Sequence, residues 1–213
     1  MHRNSGTTSR FGFERLEDRS MLSAGTVSVT GWDNTTGGDL TLSGTGNDYL
    51  TVVQRGHDAF TVIGAGTKIN VNGTNYNSYT FKMVGALTLD LSASSKDVVT
   101  MAGLNVDGDL TLDFGTSTSI VSLVKVSASD LTIDGSSASS QQVVALSSVS
   151  TSGDFSVSLG TAKYNTIAVV NCSSGGGVSF SDAGPHGIIS GVLNDFDMPS
   201  VTGFQYAFGD LPA

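Results

Sequence analysis

Between Gly85 and Phe180 one phrase returns: Ala86-Leu87-Thr88-Leu89, Asp109-Leu110-Thr111-Leu112, Asp130-Leu131-Thr132-Ile133, Asp154-Phe155-Ser156-Val157 and Gly177-Val178-Ser179-Phe180. Counted at its first apolar residue, the phrase recurs after 23, 21, 24 and 23 residues. A fixed period of this length is the mark of a repeat architecture in which each repeat packs on its neighbours. Within a phrase apolar and hydroxyl residues alternate, so Leu110 and Leu112 share one strand face and Thr111 and Asp113 the other. A second apolar pair comes 10–12 residues after each phrase: Val98-Val99, Ile120-Val121, Val143-Val144, Ile167 with Val169, Ile188-Ile189. Leu104-Asn105-Val106 and Leu123 to Val126 hint at a third short strand. The intervening residues are Gly, Ser, Asn and Asp, the residues of tight corners.

A period of 21–24 residues holding at least two short strands fits one turn of a coil per repeat. It predicts an all-β fold, a parallel β-helix or β-solenoid, with Leu87, Leu110, Leu131, Phe155 and Val178 in one inward column. A hairpin meander would need turn pairs such as Asn-Gly at each reversal. An antiparallel β-sandwich is the competing architecture. The coil resembles the right-handed parallel β-helix of secreted bacterial proteins. Leu40-Thr41-Leu42 is its first phrase, and Leu50-Thr51-Val52 comes 10 residues later. Phe60-Thr61-Val62 reads as the next phrase, with an insertion in 64–79, so seven or eight rungs are expected. Residues from about 190 to 213, with Pro199, Pro212 and several aromatics, read as a degraded rung and a C-terminal cap over the open coil end.

The 213-residue chain carries a formal charge of −9, with 14 % charged residues. Charged residues usually make up about 25 % of a chain. Up to Ala24 four Arg face three acids. Beyond it six basic residues face sixteen Asp, so the body is the acidic part. Such a body is repelled by phosphate backbones and anionic membrane surfaces, which argues against nucleic-acid binding. No apolar run approaches the roughly 18 residues of a transmembrane segment. The lone Cys172 allows no internal disulfide and reads as a small packed residue.

The leader, residues 1–24, differs from the body at 25–213. Met1 to Arg10 is polar and aperiodic and reads as disordered. Residues 11–24 read as a short amphipathic helix, without the apolar core of an ordinary secretory signal. Phe13-Glu14-Arg15-Leu16-Glu17-Asp18-Arg19-Ser20-Met21-Leu22-Ser23-Ala24 resembles the LEPR-XLL segment of exported planctomycete surface proteins. It departs from that pattern at Asp18, where Pro is common, and at Met21, where Leu is common. The resemblance covers about a dozen residues. It implies a bacterial protein that is secreted or held at the cell surface, and implies no activity.

Chemistry-bearing patterns are few. Gly44-Thr45-Gly46-Asn47-Asp48-Tyr49-Leu50 resembles one calcium nonapeptide of the hemolysin type, with Ser43 where the first Gly belongs. The resemblance implies calcium at Asp48 with Gly44, Gly46 and Asn47. No tandem copy is present, since the equivalent positions carry Lys96-Asp97, Thr118-Ser119 and Tyr164-Asn165. Calcium takes about six to eight oxygens, so a plain Gly-Asp corner is the preferred reading. Asp39, Asp109, Asp130 and Asp154 open successive phrases and should align in one column of solvated corner residues. Asp107, Asp109 and Asp113 lie close in sequence, yet sugar cleavage needs a carboxylate pair across a substrate, and the body has a single Arg, Arg55, for a lyase base. His57 and His186 sit in turns, each without a second ligand or a nucleophile beside it, and His2 belongs to the leader. Gly175-Gly176-Gly177 precedes a strand and is a corner, not a phosphate loop. The sequence thus points to a non-catalytic exported structural or adhesive rod whose partners are extracellular polysaccharide or other surface proteins. A calcium-dependent module, and a polysaccharide lyase or glycosidase on the same coil, are the alternatives.

Overall fold

The computed structural model describes residues 25–32, 38–57, 59–82, 85–192, 194–197 and 199–209. The expectations for the leader fall outside these residues. The described chain contains strands and no helix, as the scarcity of helix formers and the β-branched strand positions dictate.

The coil begins with two long strands, β2 (Leu40–Gln54) and β7 (Leu87–Asn105), preceded by β1 (Thr26–Thr30) and separated by the short strands β3 (Ala59–Gly64), β4 (Lys68–Val71), β5 (Thr74–Tyr76) and β6 (Ser78–Lys82). Each long strand runs along one side, bends at a corner and continues along the next. The β2–β7 register slips twice there, at Ser43/Thr45 and Gly46/Asn47. Later turns break at the same corner into pairs: β8 (Leu110–Asp113) with β9 (Thr118–Ala128), then β10 (Leu131–Gly135) with β11 (Gln142–Thr151). The next turn holds β12 (Phe155–Leu159), β13 (Thr166–Val170) and β14 (Ser173–Ser174). After it come β15 (Val178–Asp182) with β16 (Gly187–Val192), and β17 (Ser200–Thr202) with β18 (Phe204–Gly209).

Parallel pairing links each turn to the next. On the first side Leu40 pairs with Leu87, Leu87 with Leu110, Leu110 with Leu131, Leu131 with Phe155 and Phe155 with Val178. All six are buried. Leu42, Leu89, Leu112, Ile133, Val157 and Phe180 form a second inward column beside them. The second side stacks Leu50, Val99, Val121, Val144, Ile167 and Ile189 inward. A short third side stacks Leu104, Val126 and Val149, and the Val149 N–H reaches the Cys172 sulfur at 3.4 Å. Cys172 is thus a buried member of this apolar column. Identical or similar apolar groups in register fill the rod at one strand spacing, about 4.8 Å per turn. The parallel register excludes the sandwich.

The corner between the second and third sides is made in one way throughout. Gly103, Lys125, Ser148 and Asn171 all have left-handed φ, at 63°, 54°, 55° and 53°. Only the first lacks a Cβ, and Asn tolerates the conformation better than Lys or Ser.

The N-terminal end departs from the expectation. Phe60-Thr61-Val62 is not a rung: it lies in β3, antiparallel to β2, with Val62 opposite Val52. β6 pairs antiparallel with β3, and β4 with β5 through a hairpin whose turn residues Asn72 and Gly73 have φ of 51° and 82°. The inserted segment therefore spans Ala59–Lys82, wider than 64–79, and Leu40 to Leu87 is one step of the coil. Without Phe60 the first side still stacks seven rungs, β2, β7, β8, β10, β12, β15 and β17, which meets the expected seven or eight. β1 runs antiparallel along the first half of β2, so β1 and β3 together cover the strand edge of the first rung. Trp32 locks this cover: its ring meets Phe81 edge-on at 5.1 Å, and its Nε1–H donates to the Lys82 carbonyl at 2.9 Å. The covering element thus sits at the N-terminal end. At the other end β17 and β18 still stack parallel on β15 and β16, and the Phe196 ring packs 5.5 Å from Phe155 and 6.0 Å from Phe180.

Candidate functional site

Asp48 lies at the bend of β2, where strand parity turns it inward with Leu50 and Val52. It is wholly buried. Two glycines make room for it: a Cβ on Gly25 would stand 2.1 Å from Asp48 Oδ1, and one on Gly44 would stand 2.3 Å from Oδ2. Ser94 Oγ donates to Oδ2 at 2.6 Å. The next rung repeats the arrangement. Asp97 is in register with Asp48, is also wholly buried, and accepts from Ser117 Oγ at 2.5 Å. The Oδ1 atoms of both have no hydrogen-bond partner among the described residues.

Burial, which penalises the charged form, pushes both carboxyls up. Asp97 reaches about 7, with the Ser117 bond opposing the rise and the neighbouring Asp48 charge adding to it. Two carboxylates one rung apart inside a rod resist double ionisation, so the pair gives up its last proton well above the ordinary carboxylate range.

Asp48 and Asp97 head an internal polar column. Asp97 stacks on Ser119 and Ser119 on Gln142. Gln142 N–H donates to Asn165 Oδ1 at 3.0 Å, and Asn165 Nδ2 donates to Asp182 Oδ1 at 2.7 Å. From Ser119 onward these side chains bond one another from rung to rung, with Gln142 Nε2 donating to Ser119 Oγ at 3.3 Å, and they bond the bending backbone, for example Gly160 N–H to Gln142 Oε1 at 2.9 Å. Sequence reasoning did not assign this column. Its signal was parity: residues 48, 97, 119, 142 and 165 each precede an inward apolar residue by two.

The residues grouped for calcium are thus placed differently in space. Gly44 and Gly46 shape the bend, with Gly46 at φ 93°. The Asn47 carbonyl accepts from Gly25 N–H at 3.1 Å and from Thr67 Oγ1 at 3.3 Å. Asp48 faces the rod interior. Two carboxylates with two serine hydroxyls already bound to them fall short of the about six to eight oxygens calcium takes. Among the described residues no three His, Cys, Asp or Glu side chains come together.

The phrase-opening aspartates do stack at the outer corner, with Ala86 between Asp39 and Asp109. They clamp neighbouring turns: Oδ1 of Asp39, Asp130 and Asp154 accepts the backbone N–H of Ala86, Asp154 and Gly177 at 2.8, 2.7 and 2.8 Å. Beside this corner runs a groove of about 440 Å³ lined by Asn105, Asp107, Ser127, Ser129, Ser150 and Ser152 among others. Ser127 Oγ donates to Asn105 Oδ1 at 2.6 Å across its wall. A second hollow, of about 350 Å³, lies on the first side against Asp130, Thr132, Asp154 and Ser156. His186 stacks on Tyr164 at 5.6 Å and pairs through Nδ1 with Gln205 Oε1 at 2.6 Å. The carbonyl of His57 accepts from Gln54 Nε2 at 2.7 Å. Asp113 accepts from Gly115 N–H at 3.0 Å, as a corner residue does.

No protein-family model, curated protein or solved structure matches this chain. Among the described residues no helix is long and apolar enough to cross a membrane.

Proposed function

We propose that the chain is a non-catalytic structural and adhesive rod of the bacterial cell surface or matrix, contacting glycans through its hydroxyl-bearing exterior. The observation that carries this reading is the outward column Thr88, Thr111, Thr132, Ser156 and Ser179 on the first side, in register from turn to turn. Thr132, Ser156 and Ser179 of this column line the hollow of about 350 Å³ on the first side, and the serine-lined groove of about 440 Å³ lies at the preceding corner, each large enough for sugar residues. Hydroxyls and carboxylates at a fixed spacing of about 4.8 Å offer a repeated set of donors and acceptors to a polymer that is itself repetitive. The LEPR-XLL-like leader supports export, and the acidic exterior suits a soluble extracellular rod.

The test is retention of the full chain on insoluble polysaccharides of neutral and acidic type. Wild type should be retained, and Ser129→Leu/Ser152→Leu, which fills the groove, should bind at least about ten-fold more weakly, a loss of about 1.4 kcal/mol. Failure of wild type to bind any of them, or equal binding by the variant, overturns the reading.

A further inference from the structure

The two long sides of the coil are alike inside and unlike outside. The first side turns Thr, Ser and Asp outward, including the stacked Asp90, Asp113 and Asp134. The second side turns out two flanking columns and a central one. Along one flank Tyr49 is succeeded by Val98, Ile120, Val143, Thr166 and Ile188. The other two carry only Thr, Ser, Ala and Val. From β2 to β16 these three columns themselves bear no charge, and the exposed Lys96 and Lys125 border them. Most of the exposed large apolar residues lie here: Ile120 at 43 % exposure, Val124 at 37 %, Val170 at 40 % and Val192 at 51 %, with Ile63 of the adjoining β3 at 36 %; Tyr164 at 52 % stands just before β13 and Tyr76 at 37 % on β5.

We propose that this second side is a self-association face, on which two copies of the chain pack sheet to sheet across a two-fold axis. Three features point to a second copy. The first is charge. Each copy carries −9, and among the described residues no carboxylate lies in the three outward columns of the second side. Two such acidic rods approach with least repulsion through these uncharged columns. The second is shape. An in-register parallel stack makes a flat sheet, and a flat sheet of Val, Ile, Thr and Ala is complementary to its own copy at about 10 Å separation. The third is area. Seven strands from β3 to β16, about 4.8 Å apart and five residues of about 3.3 Å long, project about 550 Å². Two such faces bury at least about 1,100 Å², above the roughly 1,000 Å² a specific interface needs.

The experiment is the molar mass of the full chain by sedimentation and light scattering. At about 10 μM, where an interface of this class is populated, wild type should have twice the 21.8 kDa of one chain. The dimer should persist in about 1 M salt, where charge pairs are screened within about 3 Å. Ile120→Lys/Ala168→Lys places four like charges in the symmetric interface and should weaken it at least about 100-fold. Thr74→Lys/Asn75→Lys adds the same charge on the exposed strand β5, outside both faces, and should leave it intact. Should the first pair perturb folding by circular dichroism, Ile120→Thr/Val170→Thr keeps the β-branched side chains and should weaken association in the same direction. A wild type that stays monomeric at about 100 μM overturns the proposal. So does a dimer that survives both second-side variants, or a monomer that loses polysaccharide retention when this side is changed, which would assign the face to a foreign polymer.

Discussion

Replacing Asp97 by Asn removes one ionisable group from the rod interior and leaves its shape. Folded, the Asp97 carboxyl titrates at about 7 against an ordinary value of 3.8. The folded state therefore keeps a proton that the unfolded chain releases. A group raised in this direction stabilises fully below about pH 4, and its contribution is lost as pH climbs through about 7. The interval from 3.8 to about 7, at about 1.4 kcal/mol per pH unit, amounts to about 4 kcal/mol. That is a large part of the roughly 5–15 kcal/mol by which domains are commonly stable.

The assay is urea unfolding of wild type and Asp97→Asn at intervals from pH 4 to pH 8, with the slope m checked for constancy. Wild type should lose stability steadily above pH 5. Asp97→Asn should lose less, because its amide oxygen still accepts from Ser117 and its side chain bears no charge beside Asp48. The two curves should diverge by up to about 4 kcal/mol at pH 8 and converge near pH 4. General repulsion among the surface carboxylates also favours lower pH, but acts on both proteins alike and cancels in the difference. Parallel curves over the whole range would show that Asp97 ionises freely, and the account of a protonated internal pair would fall.

Two further outcomes are expected. Lys125→Gly relieves a left-handed Cβ, worth about 1–2 kcal/mol, against the entropy glycine adds to the unfolded chain, about 0.5–1 kcal/mol. The urea midpoint should therefore rise by the equivalent of about 0.5–1 kcal/mol, while Asn171→Gly, where Asn already suits the bend, should change it less. Melting in calcium and in chelator should give one midpoint, since Asp48 and Asp97 offer too few oxygens. A calcium-dependent rise of about 5–10 °C, the effect of a ligand at about 100 times its Kd on a chain of this length, would place an ion at that pair after all.

The inward columns were legible because strand parity and a period of 21–24 residues together leave one way to stack Leu87, Leu110, Leu131, Phe155 and Val178. The phrase at Phe60 misled because three alternating residues look alike in a rung and in an antiparallel strand. The discriminating signal was Asn72-Gly73, the turn pair of a reversing hairpin, sitting between β4 and β5. Asp48 and Asp97 were aligned correctly as equivalent corner positions, but reading Asp48 as a plain Gly-Asp corner hid that their parity is inward. Bare glycines at 25 and 44, which give the carboxylate its space, belong to distant parts of the chain and become neighbours only once it is wound.

The outward surface is where the period has nothing to say, yet the sequence held a trace of its asymmetry. First-side phrases alternate strictly, Leu-Thr-Leu-Asp, as a strand with one wet face does. Second-side strands open with doubled apolar residues, Val98-Val99, Ile120-Val121, Val143-Val144 and Ile188-Ile189. Doubling is the pattern of a strand covered on both faces, as in parallel sheets packed between layers. Only one of those faces meets the rod's own core. An outer layer is implied by the same physical rule that builds the inner one, and in a chain whose other surfaces carry carboxylates the second side is where that layer fits.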